Sequence, residues 1–346
     1  MDERKRILIT GASGFIGRYL VDEALQRGYD IWAGVRSGSS RKYLQDERIH
    51  FINLMYDDKK KLTEQLREIV SDSGAWHYVV HNAGITKALR KADFHKVNAN
   101  NTQVLIESLE EADCKPEKFL LMSSLSSYGP VNENSFEPIH VDDKQQPVSV
   151  YGKSKFEAEI KVKEQSFFPY VILNPTGVYG PGDKDYLVEI KSIKSGFDFK
   201  VGIKPQKITF IYVRDLAIAV FLALENPSIR NRSYFISDGD VYTDNEFAEI
   251  IKKTLGRRYV FSIRIPFWLC YLACFFSEII GKISGKAMTL NTDKYKILKQ
   301  RNWICDIEPI YRELGFIPKY SLNEGIKETI RSNQKMGLLY FKLKKK

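Results

Sequence analysis

Residues Thr10 to Gly17 read TGASGFIG and follow directly on the apolar run Ile7, Leu8, Ile9. An apolar run this short, closed by turn-forming residues, predicts a buried strand. The residues after it predict a helix from about Gly14 to Arg27, because Phe15, Ile16, Tyr19, Leu20, Ala24 and Leu25 then fall on one side. Gly28 stands where such a helix is closed by a left-handed residue. Gly11, Gly14 and Gly17 recur every third residue at the passage from strand to helix. Glycines there permit a tight turn, let backbone approach a pyrophosphate and pack the helix close to the sheet. The free N–H groups and positive dipole end of the helix then face the phosphates. The segment predicts a dinucleotide site, with Thr10, Gly11, Ser13, Gly14, Phe15, Ile16 and Gly17 against the cofactor.

A second signal lies far downstream. Tyr151 and Lys155 stand four apart in YGKSK, and Ser124 precedes them in SSLSSYG at the end of the apolar run FLLMSS. The Y-x-x-x-K spacing alone says little, since it also occurs at Tyr56–Lys60, Tyr295–Lys299 and Tyr340–Lys344. The first and last of these read as solvated surface pairs. Tyr151 differs in opening a helical stretch to about Gln165, which puts Lys155 on the same face one turn later. Free tyrosine has a pKa of about 10, so a phenol that exchanges protons near neutrality needs a neighbouring positive charge. Lys155 supplies it, and Ser124 holds the substrate oxygen while hydride passes to or from its carbon. Ser124, Tyr151 and Lys155 are therefore candidate catalytic residues, and Tyr151 and Lys155 also adjoin the cofactor.

With these pieces in order, the chain resembles an extended short-chain dehydrogenase/reductase of the broad NAD-dependent epimerase/dehydratase family, in a hydroxysteroid dehydrogenase-like branch. HNAG (His81 to Gly84) resembles the motif closing the fourth strand, NPTGVYGPGD (Asn174 to Asp183) the segment leading into a substrate domain, and FIYVRDLA (Phe210 to Ala217) the segment re-entering the core. Ser124 falls four residues before Tyr128 of a Tyr–Gly pair, where the family carries its catalytic Ser or Thr. The resemblance implies that Asn98 joins the proton relay. It also implies that Asn82, Ala83, Gly84, Pro175 and Val178 line the cofactor, and that subunits dimerise through the helices after strands four and five.

Three departures bear on cofactor and substrate. DIWAGVRSGSS carries Arg36 where NAD-preferring relatives place an acid; with Ser37 or Arg41 it could receive a 2′-phosphate, which predicts NADP over NAD. FINLMYDD puts Met55 where the family has an acid near adenine, with Asp57 and Asp58 opening the next helix. KITFIYV aligns Ile208 with the arginine that grips a sugar nucleotide's diphosphate, and Asn174 replaces another arginine. An isoleucine cannot neutralise a diphosphate as a guanidinium fork can, unless Lys204 or Lys207 compensates.

The 346 residues suffice for a dinucleotide domain and a smaller lobe, and 43% apolar with 28% charged residues fits a globular chain. The net charge of +10 is spread along the chain and concentrates only in the tail FKLKKK; no basic-aromatic nucleic-acid motif accompanies it. Cys114, Cys270, Cys274 and Cys305 form no disulfide framework or metal spacing, and Cys270 and Cys274 share one helix face as core residues. MDERKR leads into a strand rather than a secretory signal, which predicts cytoplasmic residence. Ile265 to Phe276 (IPFWLCYLACFF), continuing to Ile283, is apolar but shorter than the roughly twenty residues of a membrane span. A buried or lid helix is the first expectation, and peripheral membrane contact through 265–283 and the basic tail the second.

Strands near 6–10, 29–36, 49–55, 77–82, 118–123 and 169–174 alternate with helices, predicting an α/β Rossmann-type doubly wound parallel sheet. Residues 1–174 with about 210–237 form the NAD(P)-binding domain; about 175–209 with 238–346 form a discontinuous substrate lobe. Three functions fit: an NADP-dependent oxidoreductase acting on an alcohol or carbonyl of a fairly apolar or unphosphorylated substrate, a nucleotide-sugar epimerase/dehydratase using bound NAD(P), and a non-catalytic NAD(P)-binding regulator.

Overall fold

Alternation along each strand decides the layers. In a computed structural model describing residues 4–339, Ile7 and Ile9 of β1 (Arg6–Thr10) point to one layer and Leu8 to the other. The first layer is α1 (Phe15–Gln26), through Tyr19, Leu20 and Ala24, with the helix Val213–Glu225. The second is α2 (Lys59–Ser73), through Leu62 and Leu66, with the helices Asn101–Glu111 and Val150–Glu164. Helices on both faces explain why the strands read as unbroken apolar runs.

The sheet holds β1, β2 (Asp30–Gly34), β3 (Ile49–Ile52), β4 (Tyr78–His81), β5 (Lys118–Met122), β6 (Tyr170–Pro175) and the strand Arg232–Ile236, all parallel. Their order in space is Arg232–Ile236, β6, β5, β4, β1, β2, β3. Chain order thus reverses between β1 and β4, the crevice where open α/β sheets bind ligands. The doubly wound fold expected from the sequence is the fold observed, with β2 and β3 shorter than expected.

The smaller lobe packs the helices Asp185–Ser195, Asp244–Thr254 and Leu322–Lys335 around Phe210, Phe247, Ile326 and Ile330. Capping boxes start two of them, Thr243 with Glu246 and Ser321 with Glu324. The apolar run forms the helix Phe267–Ser284, and here the buried form of the first expectation fails. Only Cys270, Cys274 and Gly281 are buried, whereas Trp268 is 65% and Ile283 83% exposed. The lobe offers this helix a single stripe of partners, among them Met288 against Gly281 and Tyr295 against Tyr271. It is therefore not a core helix, although Cys270 and Cys274 do point inward. The basic tail and the Tyr340–Lys344 pair lie outside the described residues.

Candidate active site

Gly11 adopts φ +66°, and a Cβ there would stand 2.8 Å from Ala83 Cα and 3.0 Å from the Asn82 carbonyl oxygen. The first glycine turn is thus seated on the end of β4, in the crevice where strand order reverses. A Cβ on Gly17 would stand 2.1 Å from the Gly11 carbonyl oxygen, so only glycine lets α1 start this close. Gly14 is the N-cap of α1, with extended backbone, no side-chain cap and no acid in the first turn. Unspent N–H groups above a side-chain-free cradle fit a pyrophosphate. Asn82 Nδ2 donates to the Gly11 carbonyl at 3.5 Å, and Phe15 and Ile16 pack half-buried on the core, while Ser13 is partly exposed. A nicotinamide dinucleotide held there by the Gly11–Gly17 turn would supply a hydride acceptor or donor to a neighbouring substrate carbon.

Thr10 is buried and ends a hydrogen-bond chain that runs behind the glycine turn. Thr102 Oγ1 donates to the Asn98 carbonyl at 2.7 Å and so accepts from His81 Nε2 at 3.0 Å. His81 Nδ1 is left to accept from Thr10 Oγ1 at 2.9 Å, and Thr10 Oγ1 accepts the Ala83 N–H at 3.0 Å. His81 is thereby a neutral imidazole with its proton on Nε2. Burial, reinforced by the Lys155 ammonium, pushes its pKa down to about 3. Sequence reasoning gave His81 no role beyond the motif.

Asn98 lies in a π-helical stretch, His95–Asn100, between Ala92–Phe94 and Asn101–Glu111; such widened turns recur at functional sites. Its amide accepts from Ile85 N at 2.8 Å and donates to Ile85 O at 3.0 Å and to Ser154 Oγ at 2.9 Å. It ties the loop after β4 to the helix Val150–Glu164. A Cβ on Gly84 would meet Asn98 Oδ1 at 3.0 Å and Lys155 Nζ at 3.4 Å. Gly84, Asn98 and Lys155 are therefore brought together.

Lys155 Nζ donates to the Met122 carbonyl at 2.7 Å. Burial pushes its pKa down to about 8, against an opposing pull from Glu159. Burial raises the Tyr151 phenol, and a hydrogen bond with Ser124 works the other way. Ser124 also caps the single turn Leu125–Ser127, accepting from Ser126 N at 3.2 Å. Fully buried Glu159 accepts from Asn174 Nδ2 at 2.6 Å, from Gln145 Nε2 at 2.8 Å and from Ser123 Oγ. Asn174 donates as well to Ser127 Oγ at 3.2 Å. The asparagine replacing a family arginine thus braces the serine loop from behind.

The N-terminus of the tyrosine's helix has a cap the sequence did not disclose. Val150 N and Tyr151 N donate to the two oxygens of Asp293, at 2.6 and 3.2 Å, while Ser149 Oγ accepts from Gly152 N at 2.9 Å. Asp293 is buried and comes from the helix Thr292–Leu298. Nothing local marks it, since its partners lie 142 and 143 positions away.

The other predicted residues are dispersed. Arg36 is exposed beyond β2, and among the described residues its guanidinium has neither an ion pair nor a hydrogen bond; Arg41 stacks on Phe51 at 4.1 Å. Met55 is exposed, and Asp58 caps α2. The Tyr56 hydroxyl is buried, which corrects its reading as a solvated surface pair. Pro175 ends β6 beside Ile236, Val178 pairs with Ile211, and half-buried Ile208 pairs with Tyr242. Among the described residues no group of three or more His, Cys, Asp or Glu is placed to hold a metal.

A glycine cradle at the strand-order reversal, beside a half-buried tyrosine, a buried lysine one turn on and a serine, defines a nicotinamide-dependent Rossmann-type site. The chain belongs to the NAD dependent epimerase/dehydratase family, whose model matches residues 7–236. It is 26% identical to a UDP-glucose 4-epimerase of Vibrio cholerae over 95% of both chains. It is 23% identical to N-acetyl-alpha-D-glucosaminyl-diphospho-ditrans,octacis-undecaprenol 4-epimerase of Escherichia coli O157:H7, over 94% of both. An enzyme of Bordetella bronchiseptica, solved with NAD and UDP, shares the fold with TM-score 0.75 at 19% identity, over 97% of both chains.

Proposed function

We propose that this chain epimerises a sugar carried on a diphosphate, by oxidising a ring hydroxyl and returning the hydride to the opposite face. Tyr151 Oη takes the hydroxyl proton as the substrate C–H bond breaks, and Ser124 Oγ donates to the carbonyl oxygen that forms. Lys155, held by Met122, favours the phenolate that starts the cycle; on return of the hydride Tyr151 gives the proton back. The chemistry rests on half-buried Ser124 and Tyr151 with buried Lys155. The substrate class is supported by near full-length likeness to two proteins named as 4-epimerases, which favours this reading over net oxidoreduction.

A second reading keeps one specific observation. Ile208 stands where a diphosphate-gripping arginine is expected, which favours net NADP-dependent reduction of an apolar or unphosphorylated carbonyl compound. The purified protein, first checked for retained nucleotide, should interconvert UDP-glucose and its 4-epimer by proton NMR with no net change in nicotinamide absorbance. Tyr151→Phe should slow this by at least about a hundredfold and leave nucleotide titration unchanged. Net consumption of NADPH with apolar ketones, and no sugar conversion, would install the second reading instead.

A further inference from the structure

We propose that the helix Phe267–Ser284, together with the two-stranded ladder that leads into it, docks on a bilayer containing anionic phospholipid. This does not depend on which substrate the site takes. The ladder pairs Phe197–Val201 with Phe261–Ile265 in parallel, and its register sets Phe197 beside Phe261, Phe199 beside Ile263 and Val201 beside Ile265. One face is therefore wholly apolar, and the structure turns that face outward: Phe261 is 70% and Phe199 51% exposed. The polar face is partly covered, with Ser262 exposed at its edge. Asp198 and Lys200 are buried, paired with each other, and bonded to Ser262 at 3.0 and 2.9 Å. A half-covered sheet in water is patterned the opposite way.

Pro266 carries this ladder straight into the helix, which has mean hydropathy 1.4 over its 18 residues. Trp268, Leu269, Leu272, Phe276, Ile280 and Ile283 are all exposed. They surround the narrow inward stripe on every other side, which suits immersion in a fluid apolar medium better than one flat protein partner. Charge agrees with this. From Lys252 to Arg301 the chain carries eleven Lys or Arg and only two acids, Glu278 and Asp293. Both acids are engaged internally, Glu278 with Thr292 and Lys282 and Asp293 with the tyrosine's helix. Lys252, Arg264 and Lys282 are paired with Glu249, Asp244 and Glu278, and the other eight cations of this stretch have no ion pair among the described residues. An apolar ridge in a stretch with this excess of positive charge matches an anionic lipid interface. At about 1.5 Å per residue the helix is roughly 27 Å long, so length and composition alone would let it cross a membrane. Its inward stripe is pinned to the lobe, however, so it lies in the interface and does not cross.

The full-length protein should be floated with phosphatidylcholine vesicles, with and without phosphatidylglycerol, at low and high salt. Flotation with the anionic vesicles, weakened by salt, is expected. Brominated acyl chains should quench tryptophan emission, and Trp268→Phe should remove that quenching. Ile280→Glu with Ile283→Glu should lower partitioning at least about tenfold and leave nucleotide binding unchanged. Absence of flotation at low salt would overturn the proposal, as would equal flotation with neutral vesicles for its anionic part. A dimer that the double variant splits, with no vesicle binding by either form, would assign the face to a second copy of this chain.

Discussion

At Lys155 the described chain offers the ammonium one hydrogen-bond acceptor, the Met122 carbonyl, and a distant carboxylate, Glu159. That leaves donors to aim at a ribose or a phenolate, and it explains why the spacing to Tyr151 could be read directly from sequence: one helical turn is a fixed distance. Arg36 is the opposite case, an exposed guanidinium whose value depends on what binds beside it. If it receives a 2′-phosphate, Arg36→Asp should weaken NADPH relative to NADH by at least about tenfold, in keeping with 1.5–3 kcal/mol for a hydrogen bond to a charged group. Fluorescence titration with both nucleotides checks this; an unchanged ratio would return Arg36 to the surface. His81 and Glu159 escaped sequence reasoning for a common reason. Their roles depend on partners from several strands and helices, and an isolated buried histidine or glutamate carries no periodic signal.

The helix Val150–Glu164 shows the same division among elements. Its start, its length and its catalytic face follow from local residues, including the Ser149 cap. Its second cap does not, because Asp293 reaches it from another lobe. Losing such a cap costs about 1 kcal/mol, and the negative charge near a helix N-terminus contributes about 0.3–1 kcal/mol more. Asp293→Asn should lower the melting temperature by a few degrees. It should also lower kcat while leaving nucleotide affinity unchanged, with partial recovery in Asp293→Glu. A loss of stability without any change in kcat would make the contact structural alone. The helix Phe267–Ser284 was read least well, because hydrophobicity in a sequence reports what a segment avoids and not what covers it. Its inward cysteines were legible from their spacing, its outward faces were not.

On the scale of the molecule, buried ionisable groups set opposing pH dependences. His81 takes up a proton at about 3 when folded against 6.5 ordinarily, so the unfolded chain binds more protons between those values. Its contribution to stability is complete above the ordinary value and is lost as pH falls through this window, by about 1.4 kcal/mol per pH unit. Burial raises Asp183 to about 6, Asp238 to about 7 and Glu189 to about 8. Their contributions run the other way, declining as pH rises from the ordinary carboxylate range towards those values. Comparison with His81→Gln isolates the histidine. The variant should be less stable at pH 7 by about 1–3 kcal/mol, the cost of buried groups left unpaired. That gap should narrow towards pH 4.5 in urea denaturation; a constant gap would mean that His81 is not neutral in the folded protein.

The Asp293 cap also bears on the order in which a growing chain becomes competent. All seven sheet strands are present once Ile236 has been made, and the glycine cradle, Ser124, Tyr151 and Lys155 come earlier still. A nascent chain of that length holds every residue expected to bind nucleotide. The carboxylate that steadies Tyr151 has yet to be translated. Synthesis from N- to C-terminus therefore makes the nucleotide-facing residues before Asp293, and the tyrosine's helix gains its second anchor only when the ribosome has passed residue 293.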